Sequence, residues 1–439
     1  MSLKTLLQQT PYLNYLYAYP HKTAYRPFNP PYSLKQLWQE ENKKALFLYL
    51  HLPFCEMRCG FCNLFTTANP KASLVNDYLT QLTQQADQIN QALGDYSFSN
   101  IAIGGGTPTY LNAGELTRLF KIITEQLGVE LKKIPIGIET SPDTVSEDRL
   151  QVLKDHHVNR ISIGIESFSI KEAHAMGRPQ KEKSVQKALN LIQQAQFDTL
   201  NIDLIYGAMG QTVNAWLDSV QQAIAWQAHE IYLYPLYVRP LTGLGRKGQQ
   251  QWDDQRLACY YAAQDLLIKK GYQQISMRLF RQKTVIIKTS VEYHCQEDGM
   301  IGLGCGARSY TKTHHYSSDY AVNRQSIIEI IKNYNQLSIE ALNQVNYGIQ
   351  LNQDEQRRRY VLLSLLQCEG LSRLAYQQQF GQDVLIHFPQ LNELISENLA
   401  VLNPEFLQLN NKGIAYSDVI GTWLFSPEIR QKMADYQWH

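Results

Sequence analysis

Leu50-His51-Leu52-Pro53-Phe54-Cys55-Glu56-Met57-Arg58-Cys59-Gly60-Phe61-Cys62 ends a short apolar run with three cysteines spaced C-x3-C-x2-C. Three thiolates on one tight loop hold three irons of a cubane cluster and leave the fourth iron open to a small molecule and to one-electron chemistry. Tetrahedral zinc is the competing reading, but it needs a fourth ligand. The nearest histidine, His51, lies on the apolar run and reads as a packing or hydrogen-bonding residue.

Outward from this loop, short apolar runs alternate with amphipathic segments. The pattern predicts strands over 46–52, 100–103, 134–139, 160–165, 199–205 and 230–236. Helical spacing covers Leu74, Tyr78, Leu82, Ala86 and Ile89, and then 113–127, 181–194 and 213–227. Six successive βα units imply parallel strands with helices outside, and such barrels carry function at the carboxyl ends of their strands. The cysteine loop leaves the first of those ends.

The chain of 439 residues is long enough for a large catalytic domain and a smaller one. The expected division is an N-terminal arm at 1–45, irregular and rich in Tyr and Pro, and a core barrel at 46–240. An extension packing on the barrel follows at 241–350, then a C-terminal module at 351–439. In that module helices, then two short strands within 401–409, read as winged-helix-like. Lys plus Arg (41) balances Asp plus Glu (40), so no bulk field favours nucleic acid or an anionic membrane. Seven cysteines do not make a disulfide framework; Cys259, Cys295, Cys305 and Cys368 read as small buried apolar residues. With no signal-peptide core and no apolar run of membrane-spanning length, a reducing cytoplasm is the expected location.

Other strand ends carry chemistry. Ile101-Ala102-Ile103-Gly104-Gly105-Gly106-Thr107-Pro108-Thr109 lets backbone approach a ligand, and it is not a phosphate loop because no Gly-Lys-Ser/Thr follows. Glu139, Glu166 and Asp203 stand at or near the ends of strands three, four and five, with Arg178 following. Carboxylates there could accept from ribose hydroxyls or an amino group, and the arginine could clamp a carboxylate; salt bridges among these groups are the plainer reading. The run Met300-Ile301-Gly302-Leu303-Gly304-Cys305-Gly306 lacks the second half of a dinucleotide fingerprint and reads as a close-packed glycine turn. Arg239, Arg246, Arg278 and Arg281 are further candidates for binding carboxylates of a substrate.

Together these residues resemble the radical S-adenosylmethionine (SAM) superfamily and, within it, the oxygen-independent coproporphyrinogen III oxidase-like (HemN/HemW-like) family. The resemblance rests on Tyr49 through Cys62, Gly104 through Thr109, Asn159 through Gly164, Asn201 through Gly207, Ile301 through Gly304, and Leu409 through Gly413 with Asp418. It implies an α/β fold, a partial (β/α)6 TIM-like radical SAM barrel with a winged-helix-like C-terminal module. It also implies a 4Fe–4S cluster on Cys55, Cys59 and Cys62, whose open iron chelates SAM. One-electron reduction would give a 5′-deoxyadenosyl radical that abstracts hydrogen from a small-molecule or tetrapyrrole-like substrate, with a donor such as flavodoxin or ferredoxin. By match of motif, Tyr49, Gly105 and Glu139 would contact one SAM. Phe61, Gly106, Thr107, Glu166, Arg178 and Asp203 would line a second site where family members have one.

The chain departs from the porphyrinogen oxidases in its aromatic N-terminal arm, Pro11-Tyr12-Leu13-Asn14-Tyr15-Leu16-Tyr17, which has no recognisable counterpart, and at three further places. Leu64 replaces their fourth cysteine, Glu166 their usual Gln, and Ala208-Met209 their Leu-Pro, which argues against coproporphyrinogen as the substrate. An alternative within the resemblance is a haem carrier, for which His156, His157, His314 or His315 would have to serve as ligands, although histidine pairs on exposed loops are usually incidental. A third reading, an iron–sulfur transcriptional sensor, would need a basic recognition helix, and the expected helix at 391–399 has neither Lys nor Arg.

Overall fold

The structure, a computed structural model, describes residues 2–13, 15, 18–239, 241–248, 253–285 and 292–437; Asn14, Leu16 and Tyr17 of the aromatic arm lie outside the described residues. Six parallel strands, Leu46–Leu52, Phe98–Gly105, Ile136–Thr140, Arg160–Glu166, Thr199–Tyr206 and Glu230–Pro235, stand side by side in chain order. Period-two alternation explains them. Leu46, Leu48, Leu50 and Leu52 are fully buried on one face, and Phe47, Tyr49 and His51 lie on the other. Ile161, Ile163 and Ile165 alternate in the same way with Arg160, Ser162 and Gly164. The apolar face packs under helices Ala72–Leu93, Ala113–Lys121, Glu147–Asp155, Glu182–Ala195 and Val213–Ala225, and each fully buried Leu contributes roughly 1.5–3 kcal/mol. The polar face lines the barrel lumen.

The second of these helices begins with a reciprocal capping box between Asn112 and Glu115, and the helix expected to reach 127 ends in a π-helical turn over Ile122–Gln126.

The sheet continues past both barrel edges to thirteen strands. Leu279–Gln282 and Tyr272–Gln274 add antiparallel beyond the sixth barrel strand. On the other side Met300–Leu303 pairs parallel with the first strand, followed by Arg308–Tyr310, His314–Ser317, Gln344–Gln350 and Arg26–Ser33, all antiparallel. The glycine run at 300–306 is therefore first a strand, with the turn after it, closed by the Ala307 N–H on the Gly304 carbonyl at 3.2 Å.

The arm is not irregular, contrary to its Pro and Tyr content. Ser2 caps a helix over Leu3–Gln9, and Arg26–Ser33 is the last strand of the sheet. An end strand tolerates Pro27, Pro30 and Pro31 because one edge needs no ladder donors, and its register breaks between Pro27 and Tyr32.

Toward the C-terminus, helix Gln353–Leu365 leads into a three-stranded sheet of Leu371–Ser372, Phe406–Leu409 and Ala400–Leu402, with helix Arg373–Phe380 directly after the first of these strands. The helix expected at 391–399 is confined to Asn392–Ser396, preceded by a 3-10 turn over Pro389–Leu391. Asp418 accepts from Arg278 through both carboxylate oxygens at 2.7 and 2.9 Å, tying this region to the barrel extension. No helix among the described residues is long and apolar enough to cross a membrane.

Candidate functional site

The cysteine loop is pinned from several directions. Phe54–Cys55 pairs with Thr67–Ala68, the Cys62 N–H donates to the Cys59 carbonyl at 3.1 Å, and the Gly60 N–H to the Gly177 carbonyl at 3.1 Å. All three thiols are free and half-buried, and each sulfur has a polar neighbour. Thr107 Oγ1 lies 3.7 Å from Cys55, an Arg178 guanidinium nitrogen 3.2 Å from Cys59, and Thr66 Oγ1 3.8 Å from Cys62. Burial pushes the Cys55 thiol up to about 12, with neighbouring Cys62 adding to it. Burial also raises Cys59, to about 11, against the pull of Arg178.

Beside the loop, the second barrel strand ends in a floor with no room for side chains. A Cβ on Gly104 would stand 2.8 Å from the Glu139 carboxyl carbon, and one on Gly106 only 2.5 Å from the Phe54 carbonyl oxygen. The Gly106 N–H donates to the Leu52 carbonyl at 2.8 Å and the Thr107 N–H to the Phe54 carbonyl at 2.7 Å, so the glycine strand and the cysteine strand are stitched together. The Gly105 N–H donates to Glu139 Oε2 at 3.2 Å.

Three carboxylates share the lumen. Glu139 is open to lumen water yet ringed by protein, and desolvation with the nearby Asp203 charge raises it to about 7. Burial raises Glu166 to about 7 as well, although Arg178 stands 3.6 Å from its Oε1 and pulls the other way. Asp203 accepts from Asn201 at 2.8 Å and Ser162 at 3.2 Å, and burial still raises it. A bulge between Gly164 and Glu166 and a φ of +64° at Glu166 turn this carboxylate back toward the lumen.

The residues singled out in the sequence therefore gather at one end of the barrel. Cys55, Cys59, Cys62, Gly105, Gly106, Thr107, Glu139, Glu166 and Arg178 are joined by the contacts above, and Asp203 is coupled to Glu139 and Glu166. The Tyr49 hydroxyl lies 3.4 Å from His51 Nδ1. Phe61 packs on a small apolar cluster with Met176, Ile205 and Leu236.

Other expectations are corrected. Arg278 and Arg281 are not free for substrate carboxylates, because Asp418 and Glu230 hold them at 2.7 Å each. His314 and His315 lie not on an exposed loop but buried on a strand, and His156 stacks on Phe120 at 4.5 Å. Cys295 and Cys368 are half-buried, while Cys259 and Cys305 are buried.

His51 is the packed, hydrogen-bonded residue its place on the apolar run led us to expect, whereas other neighbours of the site carried no sequence signal. His51 Nε2 lies 2.9 Å from the Phe65 carbonyl, and burial lowers this imidazole to about 4. Ser141 donates to Glu56 at 2.6 Å from the far side of the cysteine loop. From the arm, Lys22 Nζ sits 3.3 Å above the ring of Tyr320, whose hydroxyl donates to the Asn63 carbonyl at 2.6 Å. Pairing of the arm with the sheet places Lys22 there, which local sequence does not reveal.

Residues 49–223 match the family model of the Radical SAM superfamily, and residues 351–416 match the HemN C-terminal domain. The chain therefore carries a radical SAM domain and a HemN-type C-terminal domain. It is similar to the heme chaperone HemW of Bacillus subtilis (strain 168), 26% identical over 383 residues that cover 86% of this chain and 98% of that protein. It is also similar to the oxygen-independent coproporphyrinogen III oxidase of Salmonella typhimurium, 27% identical over 391 residues, 85% of this chain and 82% of that one. The solved structure of the Escherichia coli coproporphyrinogen III oxidase HemN has the same fold, with a TM-score of 0.79 at 22% identity, covering 93% of this chain and 96% of that one.

Radical SAM proteins bind a 4Fe–4S cluster and SAM, and the residues present fit both. Among the described residues no three His, Cys, Asp or Glu side chains converge as one metal ion requires. A cubane asks instead for three separate thiolates on one loop, which this loop offers. The lumen, with three carboxylates against Arg178 and an Arg160 already paired to Glu230 at 2.8 Å, suits a ligand bearing a sulfonium and an ammonium.

Proposed function

We propose that this radical SAM protein uses Cys55, Cys59 and Cys62 to hold a 4Fe–4S cluster and the adjoining barrel mouth to hold SAM. The observation that carries the reading is the joining of the cysteine loop to the glycine floor and carboxylate lumen through Thr107, Arg178 and the Gly106–Leu52 backbone bond. When bound, the cluster supplies one electron for opening a carbon–sulfur bond of the sulfonium.

The chain's own groups do the rest. Gly104 and Gly106 keep side chains away from the ligand's path, and the Gly105 amide holds Glu139 ready for a cationic or hydroxyl donor. Arg178 offsets negative charge on Cys59 and Glu166. In this reading Tyr49, Gly105 and Glu139 would contact one SAM, and Phe61, Gly106, Thr107, Glu166, Arg178 and Asp203 would line a second site, for a second SAM or a substrate that gives up hydrogen. A donor of the flavodoxin or ferredoxin type in a reducing cytoplasm would deliver the electron.

A second reading, haem carriage, is favoured by the kinship with HemW and by Leu64, half-exposed where the porphyrinogen oxidases carry a fourth cysteine. The test is anaerobic reconstitution with iron and sulfide, then dithionite plus SAM, with chromatography for 5′-deoxyadenosine. Wild type should form it and Cys59→Ala should not, while retaining its circular dichroism spectrum because the loop lies outside the core. Equal cleavage by Cys59→Ala would sink the cluster assignment. An intact cluster without cleavage, joined to a stoichiometric Soret shift on haem titration, would transfer the assignment to the carrier.

A further inference from the structure

A second cavity, of about 360 Å³, opens near the amino ends of the first barrel strand and of Met300–Leu303, where Phe47 and Met300 line it. Phe47 and Leu52 are five residues apart on one strand, so the cavity lies ~16 Å along the strand from the end that leads to the cysteine loop. Tyr15 of the arm also lines it; this ring meets Tyr234 edge-on at 6.1 Å, and Tyr234 stacks on Tyr232 at 5.7 Å. Tyr232 lines the cavity too, and Tyr232 and Tyr234 both lie within electrostatic reach of Asp203 in the lumen.

The walls combine apolar surface with His315, Arg359 and the Arg278–Asp418 pair. His315 is completely buried, touches Tyr310 at a ring distance of 4.4 Å, and has no hydrogen-bond partner on either nitrogen. Arg278 has its counter-charge in Asp418, which accepts from it through both carboxylate oxygens, so it is not one of the ligand-binding groups. Arg359, 6% exposed, donates to the carbonyls of Cys295 and Gln296 at 2.6 and 2.7 Å, and among the described residues no carboxylate pairs with it.

A buried guanidinium whose direct contacts are carbonyls, with the charges of Asp298 and Glu41 acting on it only from beyond ion-pair distance, can take an anion beside the unpaired His315 imidazole. Aromatic and thioether walls (Tyr293, Tyr310, Met277 and Met300) call for a flat apolar body. The volume is at the small end of ligand pockets.

We infer that this cavity is a second binding site, separate from the SAM site, for a small aromatic carboxylate held by Arg359 and His315. The carboxylate accepts from the Arg359 guanidinium, His315 donates through one ring nitrogen, and the ring system lies among the tyrosines.

The test uses full-length, anaerobically reconstituted protein with benzoate, 4-hydroxybenzoate and indole-3-acetate as probes and indole-3-acetamide as the uncharged control. Thermal melting and saturation-transfer NMR report binding without reference to SAM cleavage. At least one carboxylate should bind and raise Tm, and indole-3-acetamide should bind about tenfold or more weakly than indole-3-acetate, as loss of a charge-assisted contact implies. Arg359→Gln should weaken carboxylate binding by a similar factor, and His315→Leu should weaken it while leaving SAM cleavage unchanged. Absence of binding by all three carboxylates at 10 mM, or equal binding of acid and amide by wild type, would overturn the inference without touching the cluster assignment. The acid–amide comparison needs no variant, so it holds even if a substitution fails to fold.

Discussion

Replacing Gly106 by alanine tests the joint between the glycine floor and the cysteine loop. The new Cβ would lie 2.5 Å from the Phe54 carbonyl oxygen and 2.9 Å from both the Leu52 carbonyl oxygen and the Phe54 nitrogen. Ordinary carbon–oxygen contact needs ~3.3 Å or more, so something must yield by roughly 0.8 Å. All three obstructing atoms are backbone, and the Phe54 and Leu52 carbonyls already accept from the Thr107 and Gly106 N–H groups. The strain cannot relax through a flexible side chain. Overpacking of this kind costs about 1–3 kcal/mol, and the displaced residue immediately precedes Cys55. Gly114→Ala is the matched control: its Cβ meets only the Asn112 side-chain oxygen at 3.4 Å, within a helix where alanine is preferred by up to ~1 kcal/mol. Urea denaturation of both variants, with iron and sulfide counted after anaerobic reconstitution, reads the two effects. Gly106→Ala should lose 1–3 kcal/mol and hold well under the wild-type iron content, while Gly114→Ala should match or exceed wild type in both. Wild-type stability and iron content in Gly106→Ala would refute the stitched-floor account.

Glu139 is protonated below about pH 7 and anionic above it, so affinity for the cationic SAM should rise with pH across that value. Because lumen water reaches the side chain, calorimetry should show a gain of roughly five- to tenfold between pH 5.5 and 7; a Glu139→Gln variant that kept the same slope would assign the titration elsewhere. Asp418→Asn would strand the buried Arg278 without its counter-charge, and equilibrium unfolding should register a loss of about 3–5 kcal/mol. A loss below 1 kcal/mol would mean that the pair is not a structural tie between the barrel extension and the C-terminal region.

Local pattern carried the barrel. The first strand was legible to the residue because Leu46, Leu48, Leu50 and Leu52 alternate cleanly with ring-bearing neighbours, and its cysteine loop follows without interruption. Strand ends also placed Glu139, Glu166 and Asp203 near the loop, since parallel strands in register bring their carboxyl ends together whatever the helices between them. Non-local pairing was not legible. Arg26–Ser33 finds its partner at Gln344–Gln350, across more than three hundred residues, and its prolines read locally as loop. Nor could sequence tell that Arg281 and Arg278 were already engaged, because Glu230 and Asp418 are brought to them only by sheet order and by docking of the C-terminal region.

The same non-local contacts give the arm a functional consequence. In one direction it carries Lys22 to the Tyr320 ring beside the end of the cysteine loop, and in another it lays Tyr15 under Tyr234 and 4.0 Å from the Arg278 guanidinium. The helix Leu3–Gln9 anchors its start, with the Leu3 N–H donating to Glu393 at 3.2 Å, and the strand Arg26–Ser33 anchors its end. Anchored at both ends, the arm meets the sixth barrel strand through Tyr15 on Tyr234 and the neighbourhood of the cysteine loop through Lys22 on Tyr320. Contacts so far apart in sequence couple the arm's packing to both places, so substitutions at Tyr15 and Lys22, and not only at the motifs on strand ends, bear on the surroundings of the lumen.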